Sequence, residues 1–383
     1  MPRRERIREI SHKVGLDIGS HRIKGVEIIE RGSEIVIQSA GSVAIPSSEA
    51  NRGAANTASV VQAIQNLWAS AEFETDKVVM GLPPEVTYIK WLHLEKSGED
   101  ELDGIARAAA ARGAPFPAED AVIDYRILSS RGAGSHEVHF VMLVAASSSA
   151  VDGLLDTAER AGLAPVAVDI GTVAAVRSFE TQKGAAPLWS GQPRAHCVIG
   201  AKGTTIAVVR GGALEFVRTV PFGGNDFTQC IAEAAEVDWA VADRMKTSPD
   251  AKLTEDGVMV TSHNNAEIRI PCGNLLSRLA REMVRSLRFF SSQFAEASYL
   301  GMIGTATLSG GGALLRGIDT ALQQRGIEVR SVINPFAGFP VDADGCGIRR
   351  VEDSAAAYTT AVGLATGDYW GRGIGAREAE IAA

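Results

Sequence analysis

The chain lacks the features that would place it in several large functional classes. Its four cysteines, Cys197, Cys230, Cys272 and Cys346, show neither the C-x-x-C spacing of a zinc site nor the density of a disulfide framework, so they read as reduced thiols. Positive charge is in deficit: the net charge is −8, with no run of five like charges, which argues against a surface that tracks nucleic acid. No apolar run approaches the roughly 18–20 residues that span a bilayer, and Arg3, Arg4, Arg6 and Arg8 lead into no signal-peptide core, so a cytoplasmic protein is expected. Two nucleotide-binding spacings are missing as well, the Walker A pattern and a Rossmann G-x-G-x-x-G after a strand.

What is present is an ordinary globular composition, 45% hydrophobic and 22% charged, in a 383-residue chain long enough for two or three compact units. Period-two apolar runs alternate with helical patterns, which predicts an α/β fold. The start reads as successive hairpins, with strands at 14–18, 23–29 and 34–38, followed by a helix at 58–71 and a strand at 78–81. From 85 to 163 the pattern becomes strand, helix, strand, strand, helix, an inserted module with its own sheet. Linker composition at 183–196 precedes a second hairpin set, and helices are expected from 225 to 294. There Leu276, Leu279, Met283, Leu287, Phe290 and Phe294 fall three or four apart, as on a core-facing helix.

The second hairpin set repeats the first. VGLDIGSHRIKGVEI (14–28) and CVIGAKGTTIAVV (197–209) share a strand, a Gly turn and a returning strand, but Asp17 of the first copy is matched by Val198 in the second. Duplicated units imply two facing subdomains with a ligand between them. The backbone N–H groups of such a turn converge on an anion, Lys24 adds positive charge, and Asp17 offers a water-mediated hold on Mg²⁺. A late LSGGGALLRGI (308–318) lets a flat ring or phosphate approach the backbone closely, or simply eases a strand-to-helix turn.

D-I-G-S early, Gly-Thr-Thr in mid-chain and S-G-G-G late follow the order of the ATPase fold shared by actin and the heat-shock chaperones, and the chain resembles its bacterial branch that holds FtsA and the type IV pilus assembly (PilM) family. The PilM family is the nearer likeness: it covers the first phosphate loop, the segment 215–246, the 308–336 segment ending Asn-Pro-Phe, and the small-residue helix at 351–366. The inserted module resembles subdomain 1C, which heat-shock chaperones lack, and the tail GRGIGAREAEIAA carries no apolar stripe like the membrane helix that ends FtsA.

The resemblance implies a two-lobed actin-like α/β fold with duplicated subdomains and an inserted FtsA-type 1C subdomain. Its divisions would be 1A at 1–84, 1C at 85–165, the 1A return and linker at 166–195, 2A at 196–228, 2B at 229–305, and the rest of 2A with a return helix at 306–383. ATP or ADP with Mg²⁺ would sit between the lobes, on Asp17, Gly19, Ser20 and Lys24, on Gly200, Thr204 and Thr205, and on Gly310, Gly311, Gly312 and Ala313, with Asp243 and Lys246 beside the adenosine. The partner implied is the N-terminal cytoplasmic peptide of a PilN-like inner-membrane protein, in a groove between 1A and 1C drawn from Val86, Tyr88, Trp91, Tyr125 and Val141, near the Trp68 helix. The protein would then be peripheral at the inner membrane through its partner, with self-association open. Related ATPases carry an Asp where Val198 stands, so hydrolysis is expected to be weak or absent; Lys202 and Asp169 are the residues that could compensate, although Asp169 also reads as a helix N-cap. An active ATPase of the same superfamily, or an FtsA-like or GspL-like component, is the alternative.

Overall fold

The computed structural model describes residues 12–31, 34–45, 58–95, 99–131, 137–180, 193–210, 213–292, 304–340 and 351–367. The Gly32-Ser33 and Gly211-Gly212 turns, most of the 183–196 linker, Phe294, Cys346, the N-terminal arginines and the C-terminal tail lie outside these residues.

The first lobe begins with an antiparallel meander, β1 (His12–Ile18), β2 (Arg22–Arg31) and β3 (Glu34–Ala44). Helix α1 (Ala58–Ala71) follows because Val60, Ala63, Ile64, Leu67 and Ala71 recur on one face and are buried against the sheet. Trp68 belongs to this core, since its ring packs on Phe73 and its Nε1–H donates to the Thr75 carbonyl at 2.9 Å. Strand β4 (Lys77–Leu82) then joins β1 in parallel.

The chain next leaves the lobe to build the inserted module: β5 (Thr87–Glu95), α2 (Glu99–Gly113), β6 (Ala121–Arg131) and β7 (Val138–Ser147), with β7 central in a three-stranded antiparallel sheet. Helix α3 (Ser148–Arg160) is capped by the Ser147 hydroxyl, which accepts from the Ala150 amide. The expected boundary at 165 places α3 in the module, but its Val151, Leu154 and Ala158 are buried with Ile64 and Leu67 of α1, so it packs in the first lobe. Strand β8 (Ala164–Ile170) completes the sheet order β3-β2-β1-β4-β8, and α4 (Gly171–Glu180) follows.

The second lobe repeats this plan. Strands β9 (Arg194–Ile199), β10 (Thr204–Arg210) and β11 (Ala213–Val220) form the meander, followed by α5 (Gly224–Ala235) and α6 (Trp239–Thr247). The sequence predicts helix onward to 294, yet β12 (Lys252–Leu253), β13 (Val258–His263) and β14 (Ala266–Pro271) intervene. The signal was Asn264-Asn265, both at positive φ (50° and 63°), the two-residue turn that right-handed strand twist favours in a hairpin. Helix α7 (Gly273–Ser291) buries Leu276, Leu279, Met283, Leu287 and Phe290 as the spacing predicts. Its start brings Cys272 within 3.9 Å of Cys230, 42 residues away in sequence. Parallel strands β15 (Thr305–Ser309) and, beyond α8 (Ile318–Gln323), β16 (Glu328–Val332) give the order β11-β10-β9-β15-β16, the same arrangement as in the first lobe.

Helix α9 (Thr359–Ala365) returns to the first lobe and lies on β1 and α4. A side chain at Gly363 would collide with the Ala174 backbone of α4, so the crossing of these two helices requires glycine. The lobes also meet through an apolar cluster: Met142 of β7, Val176 and Phe179 of α4, and Ala207, Val209 and Leu214 of the second sheet are buried together, with Trp91, Val173 and Val198 packed against them. Because β10 alternates, its Ile206 and Val208 face the opposite core with α7.

Candidate functional site

A cleft of about 1610 Å³ lies between the lobes, and both hairpin turns open into it. The two turns are equivalent bond for bond. The Gly19 amide donates to the Arg22 carbonyl at 3.2 Å, and the Gly200 amide to the Gly203 carbonyl at 2.8 Å. The strand registers then align Asp17 opposite Lys24 in the first lobe with Val198 opposite Thr205 in the second. In the first pair the Lys24 Nζ donates to Asp17 Oδ2 at 3.2 Å; in the second, Val198 is a half-buried apolar side chain and the Thr205 hydroxyl bonds that of Thr219 at 3.1 Å.

Of the residues expected around a nucleotide, Asp17, Gly19, Ser20, Lys24, Gly200, Thr205, Asp243, Lys246, Gly310, Gly311 and Gly312 line the cleft. Two do not present their side chains to it. Thr204 is fully buried with its hydroxyl on the Phe222 carbonyl at 2.7 Å, because neighbours on a strand point to opposite faces and Thr205 takes the cleft side. Ala313 packs into the second-lobe core. The glycine run works as a close-approach turn: Gly310, at φ +83°, sits against the Ile199 backbone, whereas Gly311 faces open space.

Asp243 and Lys246 form a compact network. The Lys246 Nζ donates to Asp243 Oδ1 at 2.8 Å and to the buried Thr228 hydroxyl at 2.5 Å. Asp243 Oδ2 lies 3.1 Å from Nε2 of His21, so a residue of the first turn crosses the cleft to α6; the sequence reading missed His21. Burial opposes ionisation of Asp243, but the His21 hydrogen bond and the Lys246 charge outweigh it and hold its carboxyl well below the usual carboxylate range.

The two compensating residues part company. Asp169 does not line the cleft: its Oδ1 accepts from the Ile170 amide at 2.7 Å just before α4, its Oδ2 accepts from Arg177 at 2.9 Å, and Arg177 also donates to the Gly363 carbonyl at 2.7 Å, tying β8, α4 and α9 together. Lys202, at the tip of the second turn, lines the cleft.

The five groove residues do not make one surface. Tyr88, Tyr125 and Val141 lie on the sheet face beneath α2, where Tyr88 and Tyr125 pack with Ala106, Ala109 and Leu143. Trp91 is on the opposite face, its Nε1–H donating to the Leu214 carbonyl of the second lobe at 2.7 Å. Val86 packs with the first-lobe core beside the cleft. Period-two alternation separates them, a constraint that a residue-by-residue likeness does not carry.

His196 stacks on Phe179 at the lobe junction, ring centroids 4.2 Å apart, and neither ring nitrogen has a hydrogen-bond partner. Burial, with the charge of Arg194 adding to it, lowers its pKa to about 3, so it is neutral.

Two sheets of identical strand order facing across a cleft, each presenting a glycine turn to it, define the actin-like ATPase fold. At the level of the fold, the chain is similar to the ethanolamine utilization protein EutJ of Carboxydothermus hydrogenoformans (14% identity, TM-score 0.50, covering 94% of this chain and 93% of that one). It is likewise similar to a diol dehydratase-reactivating factor (10% identity, TM-score 0.50, covering 93% and 99%). Within that class the profile of the type IV pilus assembly protein PilM family matches residues 15–369, and the chain belongs to this family. A solved PilM-PilN type IV pilus biogenesis complex contains a chain 26% identical to it, with a TM-score of 0.75 and coverage of 93% of this chain and 98% of that one.

Proposed function

We propose that this protein is a cytoplasmic actin-like scaffold of the type IV pilus inner-membrane assembly complex, which holds an adenine nucleotide in its cleft and docks the N-terminal cytoplasmic peptide of a PilN-like inner-membrane protein. The observation that carries the reading is the likeness along nearly the whole chain to the family and to a PilM from a PilM-PilN complex. Among the described residues no helix is long and apolar enough to cross a membrane, which fits attachment through a partner. The docking face is the flank between the first lobe and the inserted module, with Val86 at its inner end; Trp91, bonded to the second lobe, and Val141, at 2% exposure, are its supports rather than its contacts.

Nucleotide acts here as a structural or switching ligand, hydrolysed slowly or not at all. The second turn presents Val198 where a catalytic water would need a carboxylate within hydrogen-bond reach, and Asp169 is held by Arg177. The test is fluorescence anisotropy of a labelled N-terminal peptide from the PilN-like protein, titrated with this protein with and without ATP. Saturable binding supports the scaffold; no binding in either condition removes the pilus assignment of this face.

A further inference from the structure

The fold implies Mg²⁺ with the nucleotide, and the donor set of this cleft fits it poorly. Mg²⁺ bound with a nucleotide takes its octahedron of oxygens from the phosphates, from waters and from one or two protein carboxylates that hold those waters. Of the paired positions on the two phosphate turns, one carries a carboxylate, Asp17, and its Oδ2 already takes the Lys24 ammonium at 3.2 Å; the other carries Val198. A dication approaching Asp17 would come close to that ammonium. Among the described residues no group of three or more His, Cys, Asp or Glu converges to supply an alternative.

Charge at the turns is arranged for an anion instead. The register that equates Gly19 with Gly200 also equates His21 with Lys202, the two turn-tip residues. His21 is engaged across the cleft by Asp243, and the other cleft-lining cations have partners: Lys24 on Asp17, Lys246 on Asp243, Arg22 on Ser42 and Arg316 on the Pro249 carbonyl. Lys202 makes no hydrogen bond or ion pair with any described residue, and it lines the cleft. Arg22 and Arg316 keep their charge but are held by neutral oxygens, and Asp17 and Lys24 compensate each other, so the Lys202 ammonium is the cation at the turn tips that no described group engages.

We infer that Lys202 takes the place of the metal, so that this cleft binds nucleoside di- and triphosphates without Mg²⁺. The inference rests on the proposed nucleotide site but is separable from it. Purified protein is titrated into fluorescent ADP and ATP analogues, once with Mg²⁺ and once with EDTA, alongside K202Q and D17N. Affinity in EDTA within about threefold of that in Mg²⁺ is expected, with K202Q weakening binding about tenfold or more, the ordinary effect of losing a charge-assisted hydrogen bond. D17N releases Lys24 toward the phosphates and tightens binding, whereas a metal-bridged site would lose affinity. Binding that needs Mg²⁺, or that K202Q leaves unchanged, overturns the inference while the nucleotide site stands. Absence of binding in both buffers removes the nucleotide site itself.

Discussion

Replacing Val198 by Asp restores the pairing that the first lobe has in Asp17. The change acts on two things at once, because Val198 both lines the cleft and packs against the cluster of Met142, Phe179 and Leu214. Losing the burial of a half-covered valine costs about 1 kcal/mol. A carboxylate directed into the cluster would cost several kcal/mol more, so it turns to the solvated cleft that Val198 already lines; a net loss of about 1–3 kcal/mol remains. For lobes of this size that is a fall in melting temperature of about 2–10 °C, measured by differential scanning calorimetry. Phosphate release from ATP should rise at least about tenfold over wild type, a modest share of the ~10²–10⁴-fold that a positioned base contributes. A V198D protein that folds, binds nucleotide and releases phosphate no faster than wild type refutes the idea that this valine withholds hydrolysis. An unchanged melting temperature refutes its packing role.

Acid sensitivity should centre on His196. Its folded pKa of about 3 lies below the unfolded value of about 6.5, so the unfolded chain binds the extra proton and stability falls as pH drops from about 6.5 toward 3. The loss is about 2 kcal/mol by pH 5, and H196F should flatten this part of a urea-denaturation series across pH. Gly363→Ala forces a methyl group into the Ala174 backbone at the α4–α9 crossing; a loss of about 3 kcal/mol or more is expected in denaturant titration, against a gain of about 0.5–1 kcal/mol for the control Gly153→Ala, which faces open space within α3. Trp91→Phe leaves the Leu214 carbonyl without its indole donor, at about 1–2 kcal/mol, and should speed amide exchange in β5.

Much of this was legible in the chain. The spacing at 58–71 reproduces α1 to the residue, and the α7 stripe is buried as its period requires. The duplication of the turns was visible down to the Asp17–Val198 exchange, because hairpin register is local and sequence carries it. What sequence could not order were the pairings across space. That Asp169 is held by Arg177, that His21 reaches Asp243, and that Trp91 faces away from Tyr88 all depend on which strands and helices become neighbours. Thr204 was the exception: strand alternation alone excludes its side chain from a site that includes Thr205.

The bond from Trp91 to Leu214 ties the inserted module, the flank proposed for docking, to the lobe it does not grow from. The module grows out of one lobe and is tethered through its edge strand β5 to the other, like the needle of a gauge whose pivot and linkage sit on separate plates. A rotation of one plate against the other would tilt the needle, and the peptide proposed to lie along the module would meet that tilt as a change in the shape of its seat. On that proposal, cleft width would become an angle that the docked partner reads, even if no phosphate bond is ever broken.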